Sequence, residues 1–181
     1  MEISSKYNDP TERTACFLAC MSNALNIKFI VTGGFAVELL TGSTYRTYDV
    51  DLIPLSLEDA MKLEGELKGL GERPSREWII DALPKAIDVL PINETPYLEV
   101  ETPCGSLYVE KPERLLVRYL SSWKYWESRE DQHKAIALAY ALEGLIDWQF
   151  VKALAEKEGV DDKLRELRRW LSRLKSSKGD G

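Results

Sequence analysis

Apolar positions recur along this chain with two different periods. Up to about residue 110, short apolar runs, Phe29-Ile30-Val31, Val50-x-Leu52-Ile53 and Ala86-Ile87-x-Val89-Leu90-x-Ile92, alternate with stretches of helical period. After Lys111 only the helical period remains, with Leu116, Tyr119, Trp123 and Trp126 along one side. Short β-branched runs bounded by turn residues predict strands, and the 3.6-residue repeat predicts amphipathic helices. The pattern therefore predicts a mixed α/β part over residues 1–110 and a helical part over 111–181, with helices at about 112–127, 130–143, 147–158 and 161–176.

Local punctuation places the elements of the first part. Asp9-Pro10 predicts a helix start, an N-cap followed by proline where its missing N–H costs nothing, and the helix runs to about residue 26. The strand through Phe29-Ile30-Val31 enters Gly33-Gly34 and a helical pattern over 35–40, which Thr41-Gly42-Ser43 ends. A strand over 48–54 follows, and Ser56 with Glu58 and Asp59 opens a helix to about residue 70, its acids suited to the helix dipole. Trp78-Ile79-Ile80 reads as a strand or a short helix, too short a run for periodicity to decide. A strand is predicted over 86–92. Tyr97-Leu98-Glu99-Val100-Glu101 and Ser106-Leu107-Tyr108-Val109 form a hairpin about Pro103-Cys104-Gly105. The polar tail, 176–181, is expected to be disordered.

Composition narrows the class. A chain of 181 residues is long enough to bury a core without staples. Its three cysteines form no CxxC pair and are odd in number, which predicts reduced, buried thiols in a cytoplasmic protein. No basic segment leads into an apolar one at the N-terminus and no run approaches a membrane span, so no membrane association is expected. The net charge of -6 argues against a surface basic throughout, while leaving room for a local basic strip. His133 is the only histidine, which excludes multi-histidine metal sites and speaks against Ser-His and Cys-His chemistry.

Candidate chemistry concentrates in residues 33–52. Gly33-Gly34 at a strand-to-helix turn lets bare backbone approach an anion at a helix N-terminus. Asp49 and Asp51 alternate on the next strand, so their side chains share a face about 7 Å apart along the chain. Such a pair repels itself unless a cation intervenes, and rigid oxygen ligands suit magnesium. Asp88 is a lone carboxylate in an apolar strand, costly to ionise there without a partner. Asp88 can also cap a turn or pair with Arg46, and Glu99 or Glu101 can supply the third acid instead.

In that order, helix-opening Gly-Gly, a paired Asp and a later single Asp, the chain resembles the nucleotidyltransferase superfamily related to DNA polymerase beta. Gly33-Gly34-Phe35-Ala36 followed by Tyr45-Arg46-Thr47-Tyr48-Asp49-Val50-Asp51-Leu52 is most similar to the minimal, AbiEii-like toxin-type branch of prokaryotes; the resemblance spans about residues 28–143. It implies an α+β fold, a nucleotidyltransferase-like mixed sheet with flanking helices followed by a C-terminal helical bundle. Residues 1–110 would form the core and 111–181 a helical region packed on it.

The resemblance also implies a site. Asp49, Asp51 and Asp88 would be catalytic and bind Mg2+ or Mn2+, with Gly33 and Gly34 contacting the phosphates of an NTP and Arg46 steadying the carboxylates or touching phosphate. Lys124 and Arg129 are the candidates for a second phosphate contact. Many relatives carry Ser after the first glycine, so a hydroxyl contact here would fall to Thr32 or Ser43; relatives' Lys-Asp pair is replaced by Glu130-Asp131. The implied reaction moves an NMP to an acceptor hydroxyl and releases pyrophosphate. The implied acceptor is a tRNA 3′ end or a partner protein, with a small-molecule hydroxyl third. The alternative is a catalytically silent binding module of a toxin–antitoxin-like pair.

In the helical part, Trp123, Tyr125 and Trp126 at helical spacing read first as core or interface and second as a platform for a base. The last helix carries Lys163, Arg165, Arg168, Arg169, Arg173 and Lys175 around a stripe of Leu164, Leu167, Leu171 and Leu174. Those cations read as a solvated face that complements the helix C-terminus, with RNA phosphate as the other reading.

Overall fold

The computed structural model describes residues 8–176. Their order is α1 (Pro10–Leu25), β1 (Phe29–Thr32), α2 (Gly33–Leu40), β2 (Asp49–Pro54), α3 (Leu57–Leu70), β3 (Ala86–Val89), β4 (Tyr97–Thr102), β5 (Gly105–Glu110), α4 (Pro112–Tyr125), α5 (Arg129–Ala141), α6 (Trp148–Lys157) and α7 (Asp161–Ser176). The expectation of a disordered tail falls outside the described residues, apart from Ser176, which ends α7. The chain separates into two compact units, one of residues 1–39 and 46–110, the other of residues 40–45 and 111–181.

The first unit is built on a five-stranded mixed sheet in the order β3-β2-β1-β5-β4. β1 and β2 are antiparallel, β2 and β3 parallel, β1 and β5 parallel, and β4 and β5 form the antiparallel hairpin that the alternating pattern predicts. Val31, Val50, Leu52 and Ile87 are fully buried. α1 packs on β5 and β4, and α3 packs on β2. The helix starts follow the sequence signals: Asp9 accepts from the Glu12 amide ahead of Pro10, and Ser56 accepts from the Asp59 amide.

Two local expectations change. The strand expected over 86–92 ends at Val89, after which Leu90 donates one last bond to the Leu52 carbonyl; Pro91 has no N–H with which to continue the ladder. Trp78-Ile79-Ile80 is neither a full strand nor a helix. Trp78 and Ile79 make isolated bridges to Ile87 and Glu72.

A third change concerns the cysteines. Cys16 of α1 and Cys104 of the β4–β5 turn form a disulfide across 88 residues of sequence, which corrects the expectation of three reduced thiols; Cys20 is free. The pairing follows from the packing of α1 on the hairpin, a contact that neither cysteine spacing nor an odd count encodes. The cytoplasmic expectation drew on reduced thiols and loses that support, since disulfides persist mainly in oxidising compartments. Thiol titration of the unfolded, unreduced protein is expected to find one reactive cysteine per chain, and reduction should cost about 4 kcal/mol of stability, the scale for so long a loop. Three reactive thiols before reduction would contradict the pairing.

The second unit is a bundle in which α4 packs against α5, α6 and α7. Leu164, Leu167 and Leu171 of α7 are buried as the stripe predicts, whereas Leu174, expected with them, is exposed. Several α7 cations are paired: Lys163 with Glu166, Arg165 with Asp161 and Lys175 with Glu143. Lys163 also lies 4.5 Å from the centre of the buried Trp123 ring. Trp126 is 81% exposed, whereas the Tyr125 hydroxyl donates to the Glu158 and Gly159 carbonyls. No helix among the described residues is long and apolar enough to cross a membrane.

Candidate active site

The sheet brings polar side chains from four strands into one row. Thr32 of β1 lies opposite Asp51 of β2, and Asp51 lies in parallel register with Asp88 of β3. On the other side of β1, Val31 pairs with Val109, so the next residues, Thr32 and Glu110, also meet, and the Thr32 hydroxyl donates to Glu110. Registered neighbours project to the same face and alternate residues share it. Asp88, Asp51, Thr32 and Glu110 therefore run across one face, with Asp49 two residues from Asp51 on the same side. Asp49 and Asp51 are part-exposed and Glu110 is fully buried, so the row opens to solvent at the paired acids.

The two glycines are required by what approaches them. Gly33 has φ +64°, and a Cβ there would stand 1.9 Å from Asp51 Oδ2. A Cβ at Gly34 would stand 2.8 Å from Thr47 Oγ1. Bare backbone at both positions lets α2 begin directly against Asp51 and Thr47. The α2 N-terminus thus opens beside the acid pair, where its partial positive charge favours an anion.

Each acid has its own surroundings. Asp49 accepts from the Thr47 hydroxyl. Asp88 is 6% exposed; its Oδ2 meets Arg76 Nε at 2.7 Å, and its Oδ1 is buried with no hydrogen-bond partner. A buried orphaned carboxylate oxygen is costly, and calls for a ligand or ion. Among the described residues no three acidic, histidine or cysteine side chains close into a ready metal cage. Magnesium does not need one: it takes one or two carboxylates and fills its shell with water and phosphate. Asp51 and Asp88 stand in register, with Asp49 two residues away on the same strand as Asp51, and carboxylate oxygens are the donor type such an ion takes.

Glu99 and Glu101 lie on β4, at the edge of the sheet opposite β3, which leaves Asp88 as the acid beside Asp51. Arg46 pairs with Asp9 at 3.2 Å, and Asp88 pairs with Arg76 instead. Burial pushes the Asp9 carboxyl up, but the Glu12 amide, the Arg46 guanidinium and the Thr11 hydroxyl outweigh it and hold it below the usual carboxylate range. Thr32, a candidate hydroxyl for phosphate, is buried on Glu110. Lys124 and Arg129 belong to the second unit. Lys124 donates to the Gly159 carbonyl and to Asp162 at 2.8 Å, and this hydrogen bond raises its pKa; Arg129 is the first residue of α5.

Sequence reasoning missed Thr47, Glu38, Lys85, Arg76 and Glu110. Glu38 and Lys85 are buried and meet at 2.9 Å behind Thr47. The available signal was the single acid in Gly33-Gly34-Phe35-Ala36-Val37-Glu38-Leu39-Leu40, a helix apolar on all sides. Such a helix is buried all round, and its one carboxylate must find a partner.

Comparison with known proteins supports the architecture. No family model matches the chain, and no curated protein matches it in sequence. Among solved structures it is similar to an antigenic nucleotidyltransferase-like protein from Paracoccidioides brasiliensis, at 17% identity and a TM-score of 0.59, over 89% of this chain and 93% of that one. The antibiotic-resistance factor ANT(2'')-Ia is similar at 14% identity and a TM-score of 0.55, over 92% and 96% of the two chains. The lincosamide adenylyltransferase LnuA follows at 17% and 0.54, over 72% of this chain and 98% of its own. The chain therefore shares the fold of these nucleotidyltransferase-like structures.

Proposed function

We propose that this chain is a metal-dependent nucleotidyltransferase that moves an NMP from an NTP to an acceptor hydroxyl. The observation that carries the reading is the placement of Asp49, Asp51 and Asp88 on one face beside the Gly33-Gly34 helix start, with one Asp88 oxygen left without a partner. The fold neighbours support the same chemistry: LnuA is described as a lincosamide antibiotic adenylyltransferase, and ANT(2'')-Ia has been solved in complex with adenylyl-2''-tobramycin.

In this reading Asp49, Asp51 and Asp88 are the residues that would hold a divalent ion for the triphosphate. Bound there, Mg2+ or Mn2+ supplies charge neutralisation for the entering and leaving oxygens. The backbone of Gly33-Gly34 receives phosphate at the N-terminus of α2. The acceptor oxygen bonds to the α-phosphorus as the bond to the pyrophosphate oxygen breaks, and the hydroxyl proton is drawn off on the Asp88 side. The protein's own contribution is positioning and electrostatics. Arg76, with 71% of its side chain exposed, would have room to swing away from Asp88.

The test offers α-labelled ATP, GTP, CTP or UTP with Mg2+ or Mn2+ to tRNA, lysate protein and an aminoglycoside or lincosamide. The expected result is label in one acceptor class together with pyrophosphate release. The Arg76–Asp88 pair is what favours the alternative, a silent module of a toxin–antitoxin-like pair. That reading predicts no labelled product with any nucleotide, and a biological effect that survives Asp88→Asn.

A further inference from the structure

The buried Glu38–Lys85 pair lies outside the three acids, yet each partner bonds the backbone of one residue beside them, Thr47. Lys85 Nζ meets Glu38 Oε2 at 2.9 Å, and both residues are buried. Glu38 Oε2 also accepts the Thr47 amide at 2.9 Å, while its other oxygen accepts the Thr11 hydroxyl. Lys85 donates its second bond to the Thr47 carbonyl and stands 5.3 Å from the centre of the Phe35 ring. Both peptide groups of Thr47 are thus held by the pair, and the Thr47 hydroxyl donates to Asp49. Gly34 gives Thr47 the room to stand there.

A buried ion pair adds little net stability over an apolar pair of the same shape, because desolvating two charges offsets their attraction. What an apolar pair cannot supply is directional bonding to an amide and a carbonyl at once. From this geometry we infer that Glu38 and Lys85 are positioning residues: they clamp the backbone of Thr47 so that its hydroxyl fixes the Asp49 carboxylate for the metal-bound nucleotide. The inference rests on the proposed transferase reading, because it assigns Asp49 a metal to hold.

The test is Mn2+ affinity of the full chain with a non-hydrolysable ATP analogue, read by titration and independent of turnover. Thr47→Val keeps the shape and removes the hydroxyl. It is expected to weaken Mn2+ binding roughly 10- to 100-fold, the usual consequence of removing a group that orients a metal ligand, with Thr47→Ser restoring most of it. The double variant Glu38→Gln, Lys85→Met should weaken binding similarly. Adding Thr47→Val to it should cause little further loss, because the clamp acts through that hydroxyl. Thermal unfolding of each variant without metal separates loss of fold from loss of alignment. Thr47→Val binding Mn2+ as the wild type does, or losses that multiply in full, would overturn the clamp alone. Wild-type protein that binds neither Mn2+ nor the analogue would overturn the transferase reading beneath it.

Discussion

Asp51→Asn is expected to abolish NMP transfer while leaving the fold intact. Asparagine has nearly the same shape, so the contact with Gly33 and the register with Thr32 and Asp88 survive. What goes is a formal negative charge on the central acid of the row. A neutral amide is a poor ligand for a hard divalent cation, and it leaves the entering and leaving oxygens without a correctly held counter-charge. A loss of roughly a thousandfold in turnover, about 4 kcal/mol of transition-state stabilisation, is the expected scale. Thermal unfolding and α-labelled transfer, measured on the same preparation, check both halves. Transfer at the wild-type rate would remove Asp51 from the site.

Gly33→Ala should have the second largest effect, and through a different cause. At φ +64° an L side chain is strained, by about 1–2 kcal/mol. The added Cβ would also overlap the Asp51 carboxylate, with 1.9 Å where ordinary contact needs more than 3 Å. Overpacking of this kind costs roughly 1–3 kcal/mol beyond the strain, so the melting temperature should fall by about 5–15 °C. Displacing Asp51 should also remove metal-dependent nucleotide binding. Gly34→Ala is the internal comparison: it lacks the positive φ and meets only the Thr47 side chain, so it should be the milder change. A Gly33→Ala protein that melts with the wild type and binds nucleotide equally would refute the close-approach account.

What the sequence disclosed and what it hid divide along physical lines. Gly33-Gly34 and Asp49-x-Asp51 were legible because glycine turns and strand alternation are local, and Asp88 was legible because a lone acid in an apolar strand is expensive. The helices of the second unit were legible from the 3.6-residue period, to within about two residues at their ends. The segment around Trp78 was not, because isolated bridges to Ile87 and Glu72 carry no period. The Cys16–Cys104 disulfide was hidden by its 88-residue separation. Arg76 on Asp88 and Lys85 on Glu38 were hidden likewise, since which cation answers a buried acid depends on the folded chain. Sheet order, which a single sequence does not carry, is what moved Glu99 and Glu101 away from Asp51.

The central claim is that Asp49, Asp51 and Asp88 hold a divalent ion that carries a nucleoside triphosphate. Its most direct test is equilibrium binding of ATP to the full chain with and without Mn2+, compared with Asp51→Asn and Asp88→Asn. The account predicts that Mn2+ strengthens ATP binding at least about tenfold in the wild type, the scale of a lost metal–phosphate contact, and that neither variant shows the gain. Wild-type binding that is absent, or equal with and without the ion, would contradict it.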